Sequence, residues 1–156
     1  MRWILLFLLV GCGADVAPPT PTVTERQLTT LFIFSAKFCE TCKHKLPELQ
    51  KLTDGLSEKA QDHLLQSLWL VAGDPASELP TYPMAEEYFK AYWPSQSKAV
   101  FGDKNWAQYR NMNHGYQRIV PAAVVTDSNG TILKRFIGDG FIPQEIFQRV
   151  NERVGE

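Results

Sequence analysis

No apolar run in this 156-residue chain exceeds the eight residues from Trp3 to Val10, far short of the roughly 18 that a membrane-spanning helix needs. Neither sign of charge is in excess: 16 Lys and Arg stand against 17 Asp and Glu, with no block of like charge. That balance removes the electrostatic case for nucleic acid or an anionic membrane surface. Cysteine is scarce, at three residues. A chain of this length buries roughly two-thirds of its unfolded surface, so no disulfide is needed to hold a core together. His44, His63 and His114 are scattered, and no second C-x-x-C or C-x-x-H completes a zinc site. There are no internal repeats.

What is present begins with a leader. Arg2, the apolar run and the small residues of "GCGA" (11–14) read as an export signal. Leu9-Val10-Gly11-Cys12 resembles the lipobox of bacterial lipoproteins, which implies cleavage before Cys12 and lipidation of its thiol; an ordinary signal peptide cut near Ala14 is the alternative. Residues 12–25 are rich in Pro, Thr and small side chains and read as a tether. Residues 26–156 form the single remaining domain.

Within that domain, the continuous apolar run Leu31–Phe34 reads as a strand covered on both faces. Residues 39–52 read as a helix with Leu46, Leu49 and Leu52 along one side. A helical piece is expected over 57–66, a buried strand over 67–72, and helices over 84–93 and 105–112. "PAAVVT" (121–126) and "TILKRFI" (131–137), joined by "DSNG", make a hairpin, and a helix led by Pro143 ends the chain. The order strand, helix, strand, helix, strand, strand, helix predicts an α/β fold, a central mixed sheet with helices on both faces.

Two cysteines, Cys39 and Cys42, sit where the first strand gives way to the first helix. Cα atoms three residues apart on a helix lie roughly 5 Å from each other, inside the roughly 4.4–6.8 Å that a disulfide spans. The unpaired amides and dipole of the first turn favour a thiolate on the leading cysteine. Cys39 is therefore the expected nucleophile and Cys42, one turn inside, the resolving thiol. C-x-x-C spacing also occurs in metal sites and structural bridges, and spacing alone leaves those open.

"FSAKFCETCKHKLPEL" (34–49) resembles the active-site segment of the thioredoxin superfamily, particularly its membrane-tethered TlpA/ResA-like thiol-disulfide oxidoreductases. The likeness rests on the strand ending in Phe34, on Ala36, on the aromatic Phe38 before Cys39, on Lys43 and on Pro47. "RIVPAAVVTDSNG" (118–130) adds a second landmark, with Val120-Pro121 resembling the family's cis-proline segment. Phe38 stands where the family usually has Trp, and Thr41 where Pro is common. Ile33 stands where thioredoxin keeps a buried acid, which leaves the exchange chemistry but not a thioredoxin-like proton relay.

The resemblance implies a thioredoxin-like fold over about residues 26–154 and disulfide exchange with protein thiols and disulfides, fed by an upstream redox partner. Cys39 and Cys42 would carry it, with Val120, Pro121 and Phe38 contacting the substrate. No cofactor beyond the redox-active disulfide and no metal is implied. The expected setting is the periplasmic side of a bacterial envelope, with a monomer held to a membrane through Cys12. A thioredoxin-fold copper-binding protein and a non-catalytic adaptor with a structural bridge are the rival readings. Glu40, Lys37 and Lys45 are expected to be solvated, and the aromatics from Tyr82 to Tyr116 to pack as core.

Overall fold

A computed structural model describes residues 28–95, 98–115 and 117–155; the lipidation site Cys12, the leader and the tether lie outside them. The chain forms β1 (Thr29–Ala36), α1 (Glu40–Asp54), α2 (Glu58–Asp62), β2 (Leu64–Ala72), α3 (Tyr82–Tyr92), β3 (Ala99–Gly102), α4 (Ala107–Met112), β4 (Ala122–Thr126), β5 (Ile132–Ile137) and α5 (Pro143–Val154). Short 3-10 turns at Lys104–Trp106 and Gly138–Gly140 precede α4 and α5.

The five strands make one mixed sheet in the order β3-β2-β1-β4-β5. β1, β2 and β3 run parallel; β4 runs antiparallel to β1, and β5 pairs antiparallel with β4 as a hairpin, so it returns in the direction of the first three strands. Central position accounts for composition: all five residues of β4 are buried, as a strand covered on both faces must be. At the β4–β5 turn, Asp127 Oδ1 accepts from the amides of Asn129 and Thr131, and Gly130 takes the left-handed φ of +79° that closes it.

The helices lie on both faces. Ser35 and Gln66 share a face with Ile33 and Leu68, and their side chains bond Tyr88 and Trp93 respectively, which places α3 there. α1 touches α3 and packs along α5. On the opposite face, Tyr109 of α4 meets the Phe34 ring edge-on. The buried stripe of α1 is Cys42, Leu46, Leu49, Gln50 and Thr53, a helical face of i, i+4, i+7 and i+8 spacing; Leu52 is only half-buried. Ile146, Val150 and Val154 make the matching stripe of α5.

Three elements depart from the sequence-based expectation. The helix expected over 57–66 stops at Asp62, because Leu64, Gln66, Leu68 and Leu70 alternate with half-open positions and are drawn into β2. β3 was not foreseen: its four residues, Ala99–Gly102, are a short edge strand that exists by pairing with Ser67–Leu70. α3 starts at Tyr82, capped by the Thr81 hydroxyl, with Pro83 in its first turn.

Candidate active site

β1 ends at Ala36, and the chain turns through Lys37 and Phe38 into the helix. Two backbone bonds hold that turn: Lys37 N–H to Ala72 O at 3.1 Å and Cys39 N–H to Ala36 O at 3.0 Å. Cys39 takes the N-cap position of α1, with extended φ and ψ of −84° and 94°, and its Sγ accepts the amide of Cys42 at 3.1 Å. A sulfur thus stands where a serine or aspartate oxygen usually caps a helix. Cys39 and Cys42 form a disulfide with a Cα separation of 5.2 Å. Cys39 keeps 8% of its surface exposed, whereas Cys42 has none.

The neighbours of the pair differ on its two sides. Toward α3, Lys37, Lys43, Asp74, Glu87, Tyr88 and Tyr92 line a cleft of about 250 Å³. Behind it, Tyr88 bonds Ser35, and burial pushes the phenol up to about 12. Glu40 is exposed and pairs with Lys43; the hydrogen bond and charge of that ammonium hold its carboxyl below the usual value. Lys37 is half-buried along the cleft, and Lys45 donates to the Phe141 carbonyl at 2.8 Å, tying α1 to the entrance of α5. Lys45 is thus a structural tie rather than a solvated charge.

Val120-Pro121 lies at the same end of the sheet. Ala122, the next residue, pairs with Phe34, so Pro121 stands beside the end of β1 from which the cysteine turn departs. The Val120–Pro121 peptide is cis, as is Asp74–Pro75. Pro121 is buried, Val120 half-buried, and the Pro121 carbonyl accepts the Gly138 amide at 2.9 Å. Phe38 and Ile119, each 41% exposed, are apolar side chains open to solvent.

The structure thus gathers Cys39, Cys42 and Phe38 on one turn and sets Val120 and Pro121 on the neighbouring strand end. His44 and His114 are exposed and His63 is half-buried; among the described residues, no three His, Cys, Asp or Glu side chains cluster as a metal site. Of the aromatics, Tyr88, Phe89, Trp93 and Tyr109 are core, while Tyr82 is 57% exposed; Tyr116 lies outside the described residues. Ser35 and Gly138 were not singled out from the sequence, and Tyr109 only as one of the aromatics expected to pack as core. Their roles depend on contacts across 8 to 53 positions, which no local pattern encodes.

The architecture is thioredoxin-like, with the disulfide at the start of the helix that follows the central strand. Among solved structures, the chain is similar to MTB DsbF in its mixed oxidised and reduced forms (TM-score 0.58, 18% identity, 80% of each chain covered). It is also similar to the pneumococcal exposed lipoprotein thioredoxin from Streptococcus pneumoniae (TM-score 0.58, 18% identity, 80% of this chain and 84% of that one). StoA from Bacillus subtilis is a third (TM-score 0.53, 17% identity, 78% and 81%). No protein-family model matches the chain, and no curated protein matches its sequence.

Proposed function

We propose that this protein is a thiol-disulfide oxidoreductase that exchanges disulfides with protein partners outside the cytoplasm. The observation that carries the reading is the Cys42 amide on the sulfur of the N-capping, partly exposed Cys39. That amide and the helix dipole favour a thiolate at Cys39 once the pair is reduced. The Cys39 thiolate attacks one sulfur of a partner disulfide, forming a mixed disulfide and releasing the partner's other sulfur as a thiolate. Cys42 then loses its proton and attacks Cys39 Sγ, which breaks the mixed disulfide and frees the second partner thiolate. The partner gains two electrons and the pair becomes the Cys39–Cys42 disulfide; the reverse sequence oxidises a partner dithiol.

Phe38, Val120 and Pro121 form the edge against which an extended partner chain lies; the buried proline brings no N–H, and its carbonyl is held by the Gly138 amide. The solved structures it resembles are an exposed lipoprotein thioredoxin and a secreted disulfide oxidoreductase among others, which supports an extracytoplasmic setting, with Cys12 as the lipid anchor and a redox donor upstream. The test is the reduction potential of the couple, with partners trapped on Cys42→Ala. A structural bridge has a potential below about −300 mV; such a value, with nothing trapped, would overturn the reading.

A further inference from the structure

α4 is only six residues long, yet it carries Tyr109, one of the largest fully buried side chains of the protein. The chain goes to some trouble to seat it. Asp103, 3% exposed, accepts the amides of Gln108 and Tyr109 on its two carboxylate oxygens, each at 2.8 Å. Asn105 and Trp106 both take left-handed φ values, 57° and 58°, a costly conformation for residues with a Cβ that persists only where the surroundings impose it. The result is a T-shaped stack: the Trp106 and Tyr109 rings are 5.1 Å apart, and Tyr109 meets Phe34 at 5.3 Å.

The far end of that side chain reaches the segment just before Val120-Pro121. Tyr109 Oη accepts the Ile119 amide at 3.1 Å and lies 2.8 Å from the Gln117 carbonyl and 2.9 Å from that of Ile119. One hydroxyl proton serves one carbonyl at a time, but three backbone groups converge on one oxygen. Burial raises the Tyr109 pKa, so the phenol keeps that proton at neutral pH. Outside, the Arg118 guanidinium lies 5.9 Å from the centre of the Trp106 ring, closing the same loop over the same stack.

We propose that Tyr109 is a positioning residue for the substrate edge: its hydroxyl fixes Gln117–Ile119 and thereby the presentation of Val120 and Ile119 to a partner polypeptide, without touching the chemistry of the cysteine pair. This rests on the exchange reading above and assigns protein-substrate recognition within it to a residue that belongs to neither motif. A small disulfide needs only the cysteines, whereas a polypeptide also needs the edge, so the two substrate classes separate the roles.

The experiment compares full-length wild-type protein with Tyr109→Phe, which keeps the ring stack and deletes the oxygen. Insulin and bis(2-hydroxyethyl) disulfide serve as substrates. The expected result is a fall in kcat/KM for insulin of about tenfold, mainly through KM, the loss of one or two hydrogen bonds' worth of order. The small-disulfide rate and the reduction potential stay unchanged, and the Ile119 amide, left with only the Gln117 carbonyl at 2.8 Å, exchanges with solvent severalfold faster than in the wild type, while β4 amides do not. Asp103→Asn, which loosens the seat of α4 and leaves the phenol, is expected to move insulin kinetics in the same direction and guards against a folding failure of the first variant. Unchanged insulin kinetics, or equal losses on both substrates, overturn the inference while leaving the exchange reading standing. A wild-type protein inert towards both disulfides overturns the exchange reading and this inference with it.

Discussion

The Ser35 hydroxyl on β1 lies 2.8 Å from the Tyr88 hydroxyl on α3, across 53 positions of sequence, and both residues are buried. This bond joins the strand that delivers the cysteines to the helix that walls the cleft beside them. Neither group has another side-chain partner to turn to among the bonds of the described residues, so each satisfies the other.

Tyr88→Phe should therefore cost about 1–3 kcal/mol, the penalty of leaving a buried hydroxyl unpaired, read from urea unfolding of the disulfide-intact protein at neutral pH. The same residue sets a pH dependence. Burial holds its folded pKa at about 12, above the ordinary phenol value of 10.0, so its contribution is full below pH 10, where both states keep the proton. Between about 10 and 12 only the unfolded chain releases it, and stability falls by up to roughly 1.4 kcal/mol per pH unit. The urea midpoint of the wild type should accordingly drop more steeply from pH 10 to 11 than that of Tyr88→Phe; Tyr109, also raised, is common to both proteins and cancels. Parallel slopes would show that Tyr88 ionises as freely in the folded protein as in the unfolded one.

In the reduced protein the two thiols should differ sharply. Cys39 is partly open and receives the Cys42 amide, while Cys42 is fully enclosed. Iodoacetamide near neutral pH should modify Cys39 at least about tenfold faster than Cys42, as expected for a partly open thiol at a helix N-terminus against a buried one. Cys39→Ala should abolish exchange, and Cys42→Ala should accumulate mixed disulfides that wild-type protein resolves. Peptide mapping after timed alkylation decides it, and equal rates would remove the assigned roles.

What the sequence discloses and what it withholds divide along a physical line. Cys39 and Cys42 could be placed at a helix start because three-residue spacing and the strand before it are local, and Leu46 and Leu49 fall on the buried face because 3.6-residue periodicity is local too. β3 was invisible, since four residues with an alternating exposed and half-buried pattern become a strand only through the neighbour they pair with. Gln66, the last residue of the helical piece expected over 57–66, lies instead in β2, buried with its side-chain oxygen accepting Trp93 Nε1 at 2.8 Å. The bracing of the substrate edge by Tyr109 has the same origin: α4, β1 and the segment before Pro121 meet only in the folded chain.

Gly138 offers a local test of that edge. It sits at φ +57°, and a Cβ built on it would lie 2.9 Å from Ile119 Cγ2, while its amide holds the Pro121 carbonyl. Gly138→Ala should cost about 1–2 kcal/mol for the left-handed conformation alone and displace the Ile119 side chain, weakening exchange with insulin severalfold. Gly140→Ala is the control, because nothing lies within 4 Å of its Cβ position and its φ is not in the left-handed range. Its urea midpoint should match or slightly exceed that of the wild type. Equal behaviour of the two variants would mean that the loop yields without resistance.

The last prediction concerns Cys12, and the topology gives it a geometric consequence. β1 runs from Thr29 to Ala36 and only then turns into the cysteines, so the chain enters the domain at the pole opposite the disulfide. Eight residues of strand separate the two by roughly 25 Å, so an anchor on Cys12 would join the domain at the end away from the disulfide. Wild-type protein expressed in a bacterium should then fractionate with membranes and carry acyl mass at its first residue, because more than one chain is needed for a stable hold. Cys12→Ser should be released, yet should reduce insulin at the wild-type rate, since the anchor pole and the exchange pole share no residues. Should the mass begin after Ala14 with no acyl group, the lipid anchor is wrong. A released variant that also lost activity would show instead that the leader region and the disulfide end are coupled.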